Sequence, residues 1–127
     1  MKLPFVEHVG MRIEERRAGY CRCALTVAGY HLNSTGVVHG GVLFTLADTA
    51  MGAALYPMLD AGEICATIEI KINYFKPVSS GEIVCMSEIV NRGKTIANLE
   101  ASCFSGDLLV AKANGSFSVF RRGEKPV

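Results

Sequence analysis

Apolar residues are concentrated between positions 39 and 57, where they predict one long helix. Leucine, alanine and methionine dominate residues 39–55, and Pro57 ends the segment because proline cannot occupy a helix interior. The apolar residues fall on every side of this helix, as they do in a buried helix or a membrane span. A span needs about twenty apolar residues, but this segment is shorter and carries Asp48 at its centre. The pattern therefore predicts a central helix wrapped by the rest of the fold.

Alternating apolar and polar residues predict strands on both sides of the helix. The alternation is clearest in residues 68–74, where Ile68, Ile70 and Ile72 alternate with charged or amide side chains. The predicted extended segments are 11–27, which Gly19 divides into a hairpin, 68–74, 82–91, 95–105 and 108–120. Short turns join the last three segments, so we expect them to form an antiparallel meander. One helix packed on an antiparallel sheet of about five or six strands is an α+β architecture.

The composition narrows the classes of protein that the chain can represent. It has 127 residues, 50% of them hydrophobic, with 13 basic and 12 acidic side chains. That size and charge balance predict one globular domain over residues 1–127 and no nucleic-acid partner, since nucleic-acid-binding surfaces are strongly basic. The start of the sequence lacks the charged and apolar segments of a secretion signal, so we expect a cytoplasmic protein with no membrane partner.

The five cysteines are odd in number, and none has the spacing of a metal site or a redox pair. In a reducing compartment such cysteines are expected to be small, buried apolar side chains. The sequence therefore predicts no metal and no other cofactor.

Asp48 needs an explanation because it projects from a helix that is otherwise apolar. Burying an isolated carboxylate costs several kcal/mol unless another group pairs with it. Asp48 therefore either accepts hydrogen bonds that fix the helix in place or acts as a base or nucleophile. Gly40 and Gly41 at the helix start favour the second interpretation, because the first helical amides have no internal partner and glycines let a substrate approach them closely. Such amides suit the negative charge that develops in acyl transfer.

The spacing of Gly40 and Asp48 predicts a site shared between two chains. The two residues are eight positions apart, which is roughly 12 Å along a helix. A reacting carbonyl carbon must lie about 3 Å from both the attacking group and the oxyanion donors. The two residues therefore cannot act on one substrate within one chain. Two copies of the helix, antiparallel about a two-fold axis, would bring Gly40 of one copy to Asp48 of the other.

Two further polar residues precede the helix. Asn33 lies in a glycine-containing loop, where it either caps a turn or holds substrate or water. His39 adjoins Gly40, where it could position a substrate carbonyl or protonate a leaving group, although a helix N-terminus disfavours the protonated imidazole. No role is predicted for His31 or His8.

The segment from Asn33 to Gly52 resembles the hotdog-fold thioesterases of the phenylacetate-degradation (PaaI-like) type, within the 4-hydroxybenzoyl-CoA thioesterase superfamily. The matching residues are Asn33, Gly36, His39, Gly40, Gly41, Leu46, Ala47, Asp48, Thr49, Ala50 and Gly52. The resemblance continues through Ala66, Thr67, residues 72–77, the turn at 92–94 and residues 109–119, so it covers nearly the whole chain.

This resemblance implies a hotdog fold, in which a curved antiparallel sheet wraps a long helix, and pairing into homodimers or homotetramers. It also implies roles for individual residues. Asp48 would be the nucleophile or the general base for water, and the Gly40 amide would polarise the thioester carbonyl. Asn33 would place substrate or water, and Thr67 would support the water beside the aspartate.

The resemblance implies an acyl- or aryl-CoA thioesterase that works without a metal. The turn of Arg92, Gly93 and Lys94 would lie near the phosphates of coenzyme A, which attract cations; otherwise it is a charged hairpin tip. The residues expected to contact substrate elsewhere are Gly41, Phe44, Met51 and Tyr74. One alternative is a hotdog protein that binds acyl-CoA without hydrolysing it, or a subunit of another acyl-CoA enzyme such as a hydratase, although no further pair of Asp and His is arranged as a hydratase needs. The other is a structural module in which Asp48 only fixes the helix.

Overall fold

The computed structural model describes residues 3–124 as two α-helices and a six-stranded antiparallel sheet. The helices are α1 (Pro4–Val9) and α2 (Gly40–Leu55). The strands are β1 (Met11–Arg17), β2 (Tyr20–Thr26), β3 (Glu63–Tyr74), β4 (Glu82–Arg92), β5 (Ile96–Ser105) and β6 (Leu108–Arg121). Single 3-10 turns at Gly29–His31 and Tyr56–Met58 lie before and after α2.

The strand order across the sheet is β1-β2-β4-β5-β6-β3. The predicted α+β architecture is confirmed, including the hairpin of β1 and β2 and the meander of β4, β5 and β6. Strand β3 pairs with β6, at the far end of the meander. It begins at Glu63, five residues before the predicted start. The sequence did not predict this first part because Ile64, Cys65 and Ala66 are three apolar residues in a row and so show no period-two alternation. In the structure all three are half-buried.

Helix α1 was not predicted, because six residues are too few to show a helical period. Pro4 opens the helix, where the missing backbone N–H costs nothing. Gly10 ends it with φ at 88°, a left-handed conformation that glycine adopts without strain. The helix packs against β1 and so lies on one flank of the sheet.

Helix α2 begins at Gly40, one residue after the predicted start, and ends at Leu55, as predicted. The side that faces the sheet is buried and consists of Leu43, Leu46, Ala47, Ala50, Met51, Ala54 and Leu55. The opposite side, which carries Phe44, Asp48 and Gly52, is exposed or half-buried. The sheet covers only one side of α2. The apolar residues on its other side are therefore not buried within one chain. Within residues 3–124, neither this helix nor α1 is long and apolar enough to cross a membrane.

Three thiols line up across the sheet beneath α2. Cys85 is paired with Cys23 on one neighbouring strand and with Cys103 on the other, and all three are at most 1% exposed. Cys21 is also fully buried, and its burial raises its pKa to about 12. The expectation that cysteines serve as buried apolar side chains is confirmed for these four, whereas Cys65 is half-buried.

The two edge strands of the sheet differ in how many charged residues they carry, five of seven in β1 and three of twelve in β3. Strand β1 carries ion pairs along its length, including those of Arg12 with Glu14 and of Arg17 with its neighbour Glu15. A charged edge of this kind resists pairing with another strand. Strand β3 has 12 residues and leaves the Tyr74 side chain 49% exposed. Its unpaired edge is a template on which another strand can add.

Candidate active site

Asp48 and Thr67 come together on the outer side of α2. Asp48 lies in the third helical turn, and Thr67 lies in β3 next to a register shift between Thr67 and Glu69. Such a bulge re-aims the side chains beside it. The Thr67 hydroxyl donates a hydrogen bond of 2.8 Å to Oδ1 of Asp48. Because this side of the helix is only half-buried, the carboxylate is fixed in orientation and still accessible to a substrate or a water.

Gly40 is the first residue of α2, and its amide donates no hydrogen bond to any group within residues 3–124. The Gly40 carbonyl accepts a hydrogen bond of 2.8 Å from the Tyr74 hydroxyl. Burial raises the pKa of this hydroxyl and so keeps it a donor. The ring packs so closely that a Cβ added to Gly40 would lie 3.1 Å from it. Tyr74 therefore holds the helix start, and the Gly40 amide is a polarised donor without a partner.

His39 caps α2 through its side chain. The Gly41 amide donates a hydrogen bond of 2.8 Å to Nδ1 of His39. With Nδ1 as the acceptor, the ring proton of the neutral imidazole lies on Nε2. A Cβ at Gly41 would lie 2.9 Å from Nδ1, so the cap requires a glycine there. The Gly41 amide is thereby occupied, which leaves Gly40 as the unpaired amide of the two.

Asn33 organises the loop before α2. Its Oδ1 accepts hydrogen bonds from the Thr35 amide at 3.0 Å, the Thr35 hydroxyl at 2.8 Å and the Val37 amide at 3.2 Å. This is the turn-capping alternative raised by the sequence. The exposed side chain keeps its amide nitrogen as a further donor, so the cap does not prevent a contact with substrate.

The turn at 92–94 lies at the tip of the hairpin formed by β4 and β5. Arg92 makes an ion pair of 3.0 Å with Glu63 and also donates to the Gly93 carbonyl. A Cβ at Gly93 would lie 2.5 Å from the Ile96 carbonyl oxygen, so the turn requires glycine. Lys94 is exposed and makes no ion pair within residues 3–124. The Arg92 guanidinium therefore stabilises the turn, and the Lys94 ammonium is the cation that the turn exposes to solvent.

The two apolar residues assigned to the substrate site lie on opposite sides of α2. Phe44 is 36% exposed and shares the outer side with Asp48. Met51 is fully buried, and its Sδ would lie 2.9 Å from a Cβ added to Gly115 of β6. The structure therefore places Met51 in the core, because its position in the helical period points it at the sheet.

Two residues of the site region had no predicted role. Burial raises the pKa of the Cys65 thiol, and the negative charge of the nearby Asp48 raises it further. His31 is 2% exposed and links the chain before α2 to the end of α1. Its Nδ1 accepts a hydrogen bond of 2.8 Å from Ala28, and Nε2 lies 2.6 Å from the carbonyl oxygen of Val9. The contacts of Cys65 with Asp48 and of His31 with Val9 have no sequence signal, because each joins segments distant along the chain.

The fold does not bring the Asp48 carboxylate and the Gly40 amide together within one chain. Gly40 and Asp48 are on the same helix, eight residues apart, so roughly 12 Å separates them along the helix axis. Within residues 3–124, no three histidine, cysteine, aspartate or glutamate side chains are grouped as a metal site would need.

Comparison with known proteins places this arrangement in a family. The model of the thioesterase superfamily matches residues 35–112. Conserved protein PA5202 of Pseudomonas aeruginosa has a similar structure, with a TM-score of 0.88 and 33% identity, over 94% of this chain and 96% of that one. Thioesterase HI1161 of Haemophilus influenzae has a TM-score of 0.88 and 25% identity, and the match covers 94% of this chain and 85% of that one. A mutant of the phenylacetic acid degradation protein PaaI from Thermus thermophilus has a TM-score of 0.85 and 27% identity, and the match covers 91% of this chain and 97% of that one.

The chain therefore belongs to the thioesterase superfamily. It has the hotdog fold, and it is a hydrolase. The resemblance to the PaaI-like type that the sequence indicated is confirmed by the likeness to PaaI itself.

Proposed function

We propose that this protein hydrolyses acyl- or aryl-CoA thioesters to the free acid and coenzyme A, without a metal or other cofactor. The observation that carries the proposal is the Asp48 carboxylate, fixed by Thr67 on the accessible side of the helix that begins with the unpaired Gly40 amide. A fixed, accessible carboxylate and a polarised amide are the two groups that acyl transfer requires.

In this mechanism Asp48 acts on the thioester carbonyl either directly or through water. As a nucleophile, the carboxylate bonds to the carbonyl carbon, expels the thiolate and leaves an anhydride, which water then hydrolyses. As a general base, it takes a proton from a water that bonds to the carbon, and this proton then goes to the departing sulfur. In both routes the carbonyl oxygen gains negative charge, which the Gly40 amide stabilises.

The active form in this proposal is a homodimer, alone or paired into a homotetramer. The free edge of β3 supports it, because within residues 3–124 this strand pairs only with β6, and two copies of it joined antiparallel about a two-fold axis extend both sheets. The same axis makes the two α2 helices antiparallel and covers their outer sides. Gly40 of each copy then meets Asp48 of the other, and each dimer has two equivalent sites.

The remaining residues surround the thioester in this arrangement. The Asn33 amide and His39 flank the helix start and orient the substrate, while Phe44 and Tyr74 offer apolar surface to it. Lys94 provides the cation for a coenzyme A phosphate, since it is exposed and not ion-paired like Arg92 in the same turn.

The proposal is tested with purified protein and a panel of acyl- and aryl-CoA thioesters, with a thiol reagent that traps released coenzyme A. A blank without substrate corrects for the five cysteines. We expect hydrolysis of at least one thioester with kcat of about 1 s⁻¹ or more. Calorimetric binding of the thioesters with no hydrolysis would instead favour the non-catalytic acyl-CoA-binding protein.

Thr67→Val is expected to lower kcat about tenfold or more, since a hydrogen bond to a charged group contributes about 1.5–3 kcal/mol. Valine keeps the branched shape and the strand preference of threonine but lacks the donor to Asp48. Thr67→Ser is the matched control, because it keeps the hydroxyl, and should retain most of kcat. Equal losses in the two variants, measured by steady-state hydrolysis, would mean that the hydroxyl has no part in the reaction.

A site shared between subunits predicts recovery of activity from two inactive variants. Asp48→Asn removes the carboxylate and Gly40→Pro removes the amide hydrogen. A dimer with one copy of each has one site in which both groups are native. Co-expression with two affinity tags should therefore give heterodimers with about half the wild-type activity, from one intact site of two. Inactive heterodimers would show that both groups must come from one chain.

A further inference from the structure

An apolar cavity of about 280 Å³ lies beside Asp48, along the outer side of the C-terminal half of α2. Its walls come from α1, β1, α2 and the start of β3. The helical wall runs from Thr49 in α2 to Tyr56, the first residue of the following 3-10 turn, seven residues apart, which is roughly 10 Å along a helix. The catalytic groups named above do not include any of these lining residues, so the cavity is a separate feature of the fold.

The cavity opens at the level of Asp48. Thr49 follows Asp48 directly in α2, and Cys65 precedes Thr67 by two residues on the same face of β3; both side chains line the cavity. Burial, and after it the charge of the nearby Asp48, raises the pKa of the Cys65 thiol. A group attached to a carbonyl carbon at Asp48 would therefore enter the cavity without crossing the helix.

Arg16 lines the opposite end of the cavity. It is paired across β1 and β2 with Cys21, whose side chain is buried, so Arg16 lies on the helix side of the sheet. The Gly19 amide, at the hairpin turn, donates a hydrogen bond of 2.9 Å to the Ala54 carbonyl. This contact puts the hairpin turn, with Arg16 close to it, at the C-terminal end of α2, away from Asp48.

Arg16 differs from the other arginines of this hairpin in having no carboxylate partner. The ion pairs of residues 3–124 include Arg12, Arg17 and Arg22, each with a glutamate, but not Arg16. Among the described residues that line this apolar cavity, Arg16 is thus the one charged side chain; it is exposed, and it has no carboxylate partner within residues 3–124. Guanidinium groups bind carboxylates through two parallel hydrogen bonds.

The volume indicates how large an occupant fits. A cavity of about 150 Å³ holds a benzene ring, so one of 280 Å³ holds nearly twice as many non-hydrogen atoms, or about eleven, which is enough for an eight-carbon chain with a terminal carboxylate. We propose that this cavity holds the acyl group of the substrate and that Arg16 binds a carboxylate at its far end. The preferred substrates would then be monothioesters of coenzyme A with dicarboxylic acids of about eight carbons. This inference rests on the proposed thioester hydrolysis and specifies its substrate class.

Suberyl-CoA and octanoyl-CoA provide a matched pair of probes, because they have equal chain length and differ only in a terminal carboxylate or methyl group. Arg16→Met removes the charge and keeps an unbranched side chain of similar reach. We expect the ratio of kcat/KM for suberyl-CoA over octanoyl-CoA to fall about tenfold, chiefly through KM, as the loss of one charge-assisted contact predicts. Arg17→Met is the control, since Arg17 pairs with Glu15 and stacks on Tyr20; its ratio should stay at the wild-type value.

Each outcome of this experiment decides the inference. An unchanged ratio in Arg16→Met would mean that the side chain only covers apolar surface or interacts with the negative end of the α2 dipole. Hydrolysis of other thioesters but of neither probe would overturn the inference alone and leave the proposed function standing. No hydrolysis of any thioester by folded wild-type protein would overturn both.

Gly52→Val tests the position of the acyl group by volume instead of charge. A Cβ at Gly52 would meet only Phe117, at an ordinary contact of 4.0 Å, so the helix can accept a side chain that projects into the cavity. We expect kcat/KM for both eight-carbon probes to fall about tenfold or more, while that for acetyl-CoA changes little, because the cavity has lost room. Undiminished hydrolysis of the eight-carbon thioesters by a folded variant would place the acyl group elsewhere.

Discussion

Asp48→Asn is expected to lower kcat for thioester hydrolysis by about 10³-fold or more, because the amide can neither attack the carbonyl nor accept a proton from water. Asparagine has the size of aspartate, and its side-chain oxygen can still accept the Thr67 hydrogen bond. The loss should therefore appear in kcat, with the fold and the oligomer unchanged. Steady-state hydrolysis of the best thioester of the panel, with size-exclusion chromatography and thermal unfolding of each protein, measures these effects.

The control for this variant is Asp107→Asn, which makes the same chemical change in the exposed turn between β5 and β6. Wild-type kcat is expected there. Full activity in Asp48→Asn would rule out Asp48 as nucleophile and base, and would leave the carboxylate as a group that only secures α2 to β3. A loss in both variants would point to an effect of net charge on substrate binding.

Gly40→Pro is expected to lower kcat by about 10²- to 10³-fold, the loss typical of removing one oxyanion donor. Proline lacks the backbone N–H but suits the first position of a helix, where its fixed φ is already helical. His39 precedes it with φ at −59° and ψ at 135°, a conformation that a following proline favours. The change thus removes the donor and retains the helix start. Pre-steady-state hydrolysis separates this loss from any effect on product release.

Gly40→Ala is the control for the proline variant, since it adds a Cβ and keeps the amide. The Cβ would lie 3.1 Å from the Tyr74 ring, so the ring must shift by a few tenths of an ångström. A moderate loss, of about tenfold or less, is expected from this crowding. If both variants lose activity equally, the close contact with Tyr74, and not the amide, is what the reaction needs.

The sequence by itself predicted the elements of local origin. The length and apolar content of α2, its end before Pro57 and the alternation in β4, β5 and β6 depend on neighbouring residues, so the pattern was sufficient. The eight-residue spacing of Gly40 and Asp48 also follows from the sequence, because helical geometry converts it directly into a distance. That distance alone predicts a site shared between two subunits, which the heterodimer experiment tests.

The tertiary structure decided which of these residues meet. Thr67 reaches Asp48 only because β3 crosses the sheet to pair with β6, and no local pattern specifies that pairing. Met51 and Phe44 are similar in hydrophobicity, yet the sheet covers one and leaves the other exposed. Arg16 and Asp48 belong to distant segments that share a cavity. Such contacts arise from packing between elements, whereas a sequence pattern records only the periodicity within each element.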